Sequence, residues 1–130
     1  MTTNSGPTAG ELWTIDAAQC DPEMLRDRAV LGALFDTIVS ALGLHPVAPA
    51  VWHTFPHPGG VTGALILGES HLTVHTFPEH GSACLDLFTC VPRAGAESIL
   101  HDAMRASLLA WEVTVRRQTR EIAIPRVSNA

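Results

Sequence analysis

Apolar residues recur along the chain with two spacings, and each spacing predicts a type of element. Between residues 28 and 43 they return every third or fourth position, as in a helix with one buried face: Leu31, Leu34, Phe35, Ile38, Val39 and Leu42. Asp21-Pro22-Glu23 has the N-cap acceptor, proline and acid of a helix start, so this helix is predicted to run to about Gly43. A second helix is predicted over 96–111, with an apolar face formed by Leu100, Met104, Leu108 and Trp111.

Alternating or β-rich runs predict six strands, at 11–16, 47–55, 62–68, 71–77, 82–90 and 112–118. Pro49 makes part of the second run an edge or a bulge, and the tight stretch 78–81 predicts a hairpin. The order β-α-β-β-β-β-α-β predicts an α+β two-layer sandwich, a mostly antiparallel sheet with helices on one face. The other face is expected to pack on another sheet, which favours an oligomer.

Composition narrows the class of protein. A length of 130 residues fits one domain, with 46% hydrophobic and 16% charged residues. The net charge of −5, with no cluster of basic residues, argues against nucleic acid and anionic membranes as partners. The N-terminus has no signal-peptide pattern and no apolar run is long enough to span a bilayer, so we predict a cytoplasmic protein. Residues 1–9 and 126–130 are expected to be disordered.

Three residue types limit the chemistry. Cys20, Cys84 and Cys90 form no C-x-x-C pair, so we expect free thiols. The chain contains no lysine, which excludes a pyridoxal phosphate enzyme that holds its cofactor through its own lysine. Five histidines lie between residues 53 and 80, but His71 and His75 are too far apart on a strand to share one ion. We therefore predict no metal site.

The segment 69–90, ESHLTVHTFPEHGSACLDLFTC, places a serine, a histidine and a cysteine at fixed offsets. It resembles the processing and active-site segment of the small bacterial and archaeal S-adenosylmethionine decarboxylases, which are pyruvoyl enzymes. Weaker similarity extends to Gly10, to Cys20-Asp21-Pro22-Glu23, to His53-Thr54-Phe55 and to Gly63. The resemblance implies a single decarboxylase domain over 1–130, made as a proenzyme.

In that family the chain cuts itself, here between Glu69 and Ser70, giving a β chain of residues 1–69 and an α chain of 70–130. Ser70 would become a pyruvoyl group that binds the substrate amine as a Schiff base, without pyridoxal phosphate or metal. The implied reaction converts S-adenosylmethionine to its decarboxylated form for spermidine synthesis. The implied assembly is a homodimer of cleaved protomers, an α/β/β/α sandwich with active sites at or near the interface.

The resemblance also implies roles for individual residues. His75 would assist the elimination step of processing, and Cys90 would return a proton to the substrate α-carbon. Thr62 lies where the family usually has a serine that assists cleavage. Glu79 would bind the ribose hydroxyls, and Phe55 would stack on adenine.

Other functions remain open at this stage. Phe77, His80 and Ser82 replace a tryptophan and two tyrosines that are usual in the family, so the same scaffold could decarboxylate ornithine or arginine. The acids available for such a substrate are Glu11, Asp16, Glu79 and Asp86. A noncatalytic, unprocessed binding or regulatory relative is another possibility. A serine hydrolase is disfavoured, because Ser70 is not in a G-x-S-x-G elbow.

Overall fold

The computed structural model describes residues 8–122. One sheet carries six strands: β1 (Thr8–Ala18), β2 (Val51–Thr54), β3 (Val61–Leu67), β4 (Ser70–Phe77), β5 (Ser82–Thr89) and β6 (Glu112–Ile122). Within these residues three α-helices accompany it, α1 (Pro22–Arg26), α2 (Arg28–Leu42) and α3 (Ala96–Leu108), and a short 3₁₀ helix covers Pro78–His80. The strand order is β2-β3-β4-β5-β1-β6 and every neighbouring pair is antiparallel. The predicted α+β fold with an antiparallel sheet is confirmed.

Alternation along the strands separates two faces of the sheet. Buried residues at every second position of β1, β3, β4 and β5 pack against the helices. The helices contribute large, fully buried side chains to this core: Leu25, Leu31, Leu34, Phe35, Ile38, Leu100, Met104 and Leu108. No helix of the described residues covers the other face, which we call the open face. The open face carries both polar and apolar side chains, and its polar or ionisable residues include Thr62, His71, His75, Cys84 and Asp86. None of the described helices is long and apolar enough to cross a bilayer.

The predicted helix from Asp21 to Gly43 is wrong as a single element, because it is interrupted at Asp27. Asp27 has an extended backbone (φ −97°, ψ 105°) and ends α1. Its side chain then accepts hydrogen bonds from the backbone N–H groups of Ala29 (2.9 Å) and Val30 (3.4 Å), so it also caps α2. An aspartate can satisfy these otherwise unpaired N–H groups, which favours starting a new helix at this point.

Other element boundaries also differ from those predicted from the sequence. The second strand covers only 51–54 of the predicted 47–55, with Pro46 in a separate bridge to Leu67. The last helix ends at Leu108, and Trp111 is 76% exposed rather than part of its buried face. Residues 8 and 9, predicted to be disordered, belong to β1 because that strand pairs with β6 over its whole length. The predictions for residues 1–7 and 126–130 lie outside the described residues.

The buried thiol of Cys20 predicts a loss of stability at alkaline pH. Burial raises its pKa from 9.0 to about 11, so the unfolded chain loses this proton at lower pH than the folded chain. The free energy of unfolding should therefore fall between about pH 9 and 11, by roughly 1.4 kcal/mol per unit of separation. Few other groups titrate there, because the chain has no lysine and no tyrosine.

Urea unfolding measured across this pH range tests the expectation. Cys20→Ala should flatten the pH dependence more than the matched variant Cys84→Ala, whose thiol is only half-buried. Equal pH dependence in the wild type and in Cys20→Ala would contradict it.

Candidate active site

The turn that joins β3 to β4 carries the predicted cleavage site. Gly68 and Glu69 form the turn, and Leu67 pairs with Ser70 across it. Glu69 has a φ of 57°, in the left-handed region that non-glycine residues seldom occupy. The Gly68 N–H donates to the His45 carbonyl oxygen at 3.0 Å, which ties the turn to the segment after α2. The Glu69–Ser70 bond therefore directly follows a strained residue in a held turn.

Cys90 lies just after β5 at the same end of the sheet and is half-buried. Burial raises the pKa of its thiol, and the neighbouring Glu69 carboxylate raises that pKa further through hydrogen bonding and negative charge. A backbone N–H and the Arg93 guanidinium oppose part of this effect. The thiol therefore stays protonated at neutral pH, which suits a proton donor and not a thiolate nucleophile.

Thr62 and His75 form a second pair of predicted residues, on the open face. They are directly opposite each other on β3 and β4, and the Thr62 Oγ1 to His75 Nδ1 distance is 3.0 Å. This hydrogen bond fixes the orientation of the imidazole ring and leaves Nε2 available for proton transfer. Cys84 on β5 is the opposite neighbour of His75.

A cleft of about 310 Å³ lies beside this pair. Its lining residues are Phe55, Pro56, Pro58, Gly60, Thr62, His75, Thr76, Phe77 and Glu79. The structure thus brings together four residues predicted from the sequence, Phe55, Thr62, His75 and Glu79. Phe55 and Phe77 are 49% and 41% exposed as residues, so two partly exposed aromatic side chains border the cleft.

Ser70 and His75 do not meet within one chain. His75 is five steps along the strand from Ser70, and at about 3.3 Å per step their Cα atoms are about 16 Å apart. Their side chains also point to opposite faces, because Ser70 pairs with the buried Leu67 and His75 pairs with Thr62 of the open face. The site residues therefore form two groups: Glu69, Ser70 and Cys90 at one end of the strands, and the cleft with Thr62 and His75 at the other.

The acids considered for a cationic substrate are mostly engaged elsewhere. Glu11 is buried and bonds to Arg117 at 3.4 Å, and Asp16 bonds to Arg116 at 2.8 Å. Asp86 lies in a different depression of the open face, beside His71 and Phe88. Of the four acids, only Glu79 lines the cleft.

The rest of the described surface offers fewer features of this kind. A larger cavity of about 720 Å³ lies between α3 and β6, but it contains none of the predicted site residues. Within residues 8–122 no group of three or more histidine, cysteine, aspartate or glutamate side chains is arranged to hold a metal ion.

Sequence reasoning missed the place of Phe77 in the cleft and treated this residue only as a departure from a family pattern. The signal was present, because Phe77 lies two residues after His75 on one strand and so shares its face. The position of Cys84 opposite His75 was missed as well, because cross-strand pairing depends on the strand register, which cannot be read from the sequence alone.

Comparison with known proteins places these features in a family. Residues 11–121 match the family model described as S-adenosylmethionine decarboxylase. The S-adenosylmethionine decarboxylase proenzyme of Parasynechococcus marenigrum is 35% identical over 113 residues, which cover 85% of this chain and 86% of the relative. The protein of the same name from Pyrococcus furiosus is 38% identical over 90 residues, which cover 69% of this chain and 63% of the relative. The match thus covers slightly less than two thirds of the Pyrococcus protein. The crystal structure of the adenosylmethionine decarboxylase from Aquifex aeolicus has the same fold, with a TM-score of 0.72, 24% identity and coverage of 92% and 94%.

Proposed function

The chain belongs to the S-adenosylmethionine decarboxylase family, and from this membership we propose that it is a self-processing decarboxylase that acts on S-adenosylmethionine. The observation that carries the proposal is the cleft, which groups two exposed phenylalanine rings and Glu79 with the Thr62–His75 pair. Aromatic faces suit an adenine ring and a sulfonium cation, and a carboxylate can accept hydrogen bonds from ribose hydroxyls.

The residues present fit a pyruvoyl group made from Ser70. No lysine is available to hold a carbonyl cofactor, and Ser70 follows a strained residue whose peptide bond is the one to be cut. A pyruvoyl group supplies an electrophilic ketone that binds a substrate amine and withdraws electrons from its α-carbon as carbon dioxide leaves.

Self-cleavage would begin with the Ser70 hydroxyl. Its Oγ attacks the Glu69 carbonyl carbon, the amide C–N bond breaks, and the hydroxyl proton passes to the amide nitrogen. This converts the peptide bond into an ester and releases the unfavourable backbone of Glu69. His75 then accepts the proton from the Ser70 α-carbon as the new α-carboxylate of Glu69 leaves, which would give a dehydroalanine at position 70. Tautomerisation to an imine and hydrolysis by water would convert this residue to the pyruvoyl ketone and release ammonia.

His75 can perform this step only from a second copy of the chain, because it lies about 16 Å from Ser70 in its own copy. We infer a two-fold dimer formed through the open faces, in which the cleft of one protomer meets the Ser70 end of its partner. His75 would then approach the backbone α-carbon of the partner's residue 70 and not its side chain, which points to the helix-covered face. A two-fold axis makes both contacts equivalent and creates two sites. Each site would combine Ser70 and Cys90 of one copy with Thr62, His75 and Glu79 of the other.

The protonated thiol of Cys90 would deliver a proton to the substrate α-carbon after decarboxylation. Burial and, to a smaller extent, the hydrogen bond and charge of the neighbouring Glu69 carboxylate raise the pKa of this thiol, so it is protonated near neutral pH.

Carbon dioxide release from S-adenosylmethionine, ornithine and arginine, measured side by side, tests the substrate. S-adenosylmethionine should be preferred, because Glu79 is the only candidate acid in the cleft, while Glu11 and Asp16 are paired with arginines. Faster turnover of ornithine or arginine would contradict the substrate assignment. An uncleaved chain with no turnover of any of the three would instead indicate a noncatalytic relative.

A further inference from the structure

A buried hydroxyl without a partner lies at the Ser70 end of the sheet. Thr89 is 1% exposed, and its Oγ1 makes no hydrogen bond within the described residues. Buried polar groups are nearly always hydrogen-bonded, so an exception of this kind requires an explanation. The explanation we consider is that the hydroxyl has a partner during self-cleavage.

The strand register places Thr89 directly opposite Ser70. The last recorded pair between β4 and β5 is His71 with Phe88, and one further step along the same register joins Ser70 to Thr89. Residues opposite each other on neighbouring antiparallel strands have Cβ atoms about 4.5–5.5 Å apart. Two hydroxyl groups on these carbons are within reach of a hydrogen bond.

Both side chains also belong to the same face of the sheet. Thr89 pairs on its other side with Glu11, and both residues are buried on the helix-covered face. Ser70 pairs with Leu67, which is buried on that face as well. The Glu11 carboxylate accepts from Arg117 and makes no hydrogen bond with Thr89, which leaves Ser70 as the other polar neighbour of Thr89 in this row.

We propose that the Thr89 hydroxyl accepts a hydrogen bond from the Ser70 hydroxyl and thereby orients Ser70 Oγ toward the Glu69 carbonyl carbon. Thr89 is thus a positioning residue for self-cleavage, and this inference rests on the proposed self-processing. The reaction itself is unchanged: the Oγ–C bond forms, the amide C–N bond breaks, and the Ser70 proton moves to the amide nitrogen. Thr89 gains and loses no proton in this step, so its contribution ends once the ester has formed.

Thr89→Val and Thr89→Ser separate this role from a structural one. Valine keeps the branched shape of threonine and removes the unpaired hydroxyl, so the uncleaved chain should be at least as stable as the wild type. Self-cleavage should nevertheless slow by roughly tenfold, the effect of one lost hydrogen bond, and Thr89→Ser should restore most of the rate. Turnover per cleaved chain should change little in either variant.

The measurements are the cleavage rate of newly synthesised chain, followed by pulse labelling and denaturing gels, and the midpoint of thermal unfolding in a Ser70→Ala background. Slower cleavage without loss of stability, reversed by serine, supports the inference. A wild-type cleavage rate in Thr89→Val overturns the inference about Thr89, and so does a slower rate that is accompanied by a lower unfolding midpoint. Both results leave the proposed function intact. A wild-type chain that never cleaves overturns the proposed function itself.

Discussion

Ser70→Ala is expected to leave the chain intact, so that a denaturing gel shows one band where the wild type shows two fragments, residues 1–69 and 70–130. The variant lacks the hydroxyl oxygen that would attack the Glu69 carbonyl carbon. Carbon dioxide release should disappear with cleavage, because alanine cannot become a pyruvoyl group. Intact-protein mass spectrometry would distinguish the two results without ambiguity.

Ser98→Ala is the matched control for this experiment. Ser98 is an exposed residue of α3 and lines the cavity between α3 and β6, which contains none of the predicted site residues. The variant should cleave and turn over at close to the wild-type rate. A Ser70→Ala chain that still cuts between residues 69 and 70 would refute both the serine mechanism and the proposed function.

Mixing two inactive variants is expected to restore activity. In a dimer of Ser70→Ala with His75→Ala, one site combines both substitutions, and the other combines an intact Ser70 with an intact His75. With random pairing, about a quarter of all sites should become active after coexpression. Only the His75→Ala chain should be cleaved, which differential tags would reveal on a gel.

A second pair of variants controls for this result. Ser70 and Cys90 lie at the same end of one chain, so coexpression of Ser70→Ala with Cys90→Ala should give no turnover beyond that of Cys90→Ala alone. Restoration by this pair, or its absence with Ser70→Ala and His75→Ala, would refute the shared site. The dimer itself can be checked separately by sedimentation.

The sequence was sufficient to predict the sheet but not the grouping of the site. Period-two patterns reveal strands, and β1, β3, β4 and β5 were found because their buried residues alternate clearly. The edge strands β2 and β6 have no buried residue and were predicted from β-rich or alternating sequence. The interruption between α1 and α2 at Asp27 could not be predicted from periodicity, because the apolar stripe of α2 begins only at Leu31. Caps act through individual hydrogen bonds, which periodicity does not report.

The candidate residues were predicted individually, but their arrangement was not. Ser70 and His75 were associated because they are close in sequence, although an extended strand places them about 16 Å apart. Phe55 and Glu79 are 24 positions apart and yet share one cleft, because the hairpin between β3 and β4 returns the chain to the same edge. Distances of this kind depend on tertiary pairing and only become visible in three dimensions.

The backbone hydrogen bonds around the Gly68–Glu69 turn determine what becomes of the two fragments. Gly68 donates to His45, and Val47 donates to the Ile66 carbonyl at 3.1 Å, so the end of β3 is secured without the next residue. Beyond the cut, β4 is held on both sides by β3 and β5. The cleaved protein would therefore persist as a noncovalent complex of two peptides, and its unfolding would become a dissociation whose midpoint rises with protein concentration.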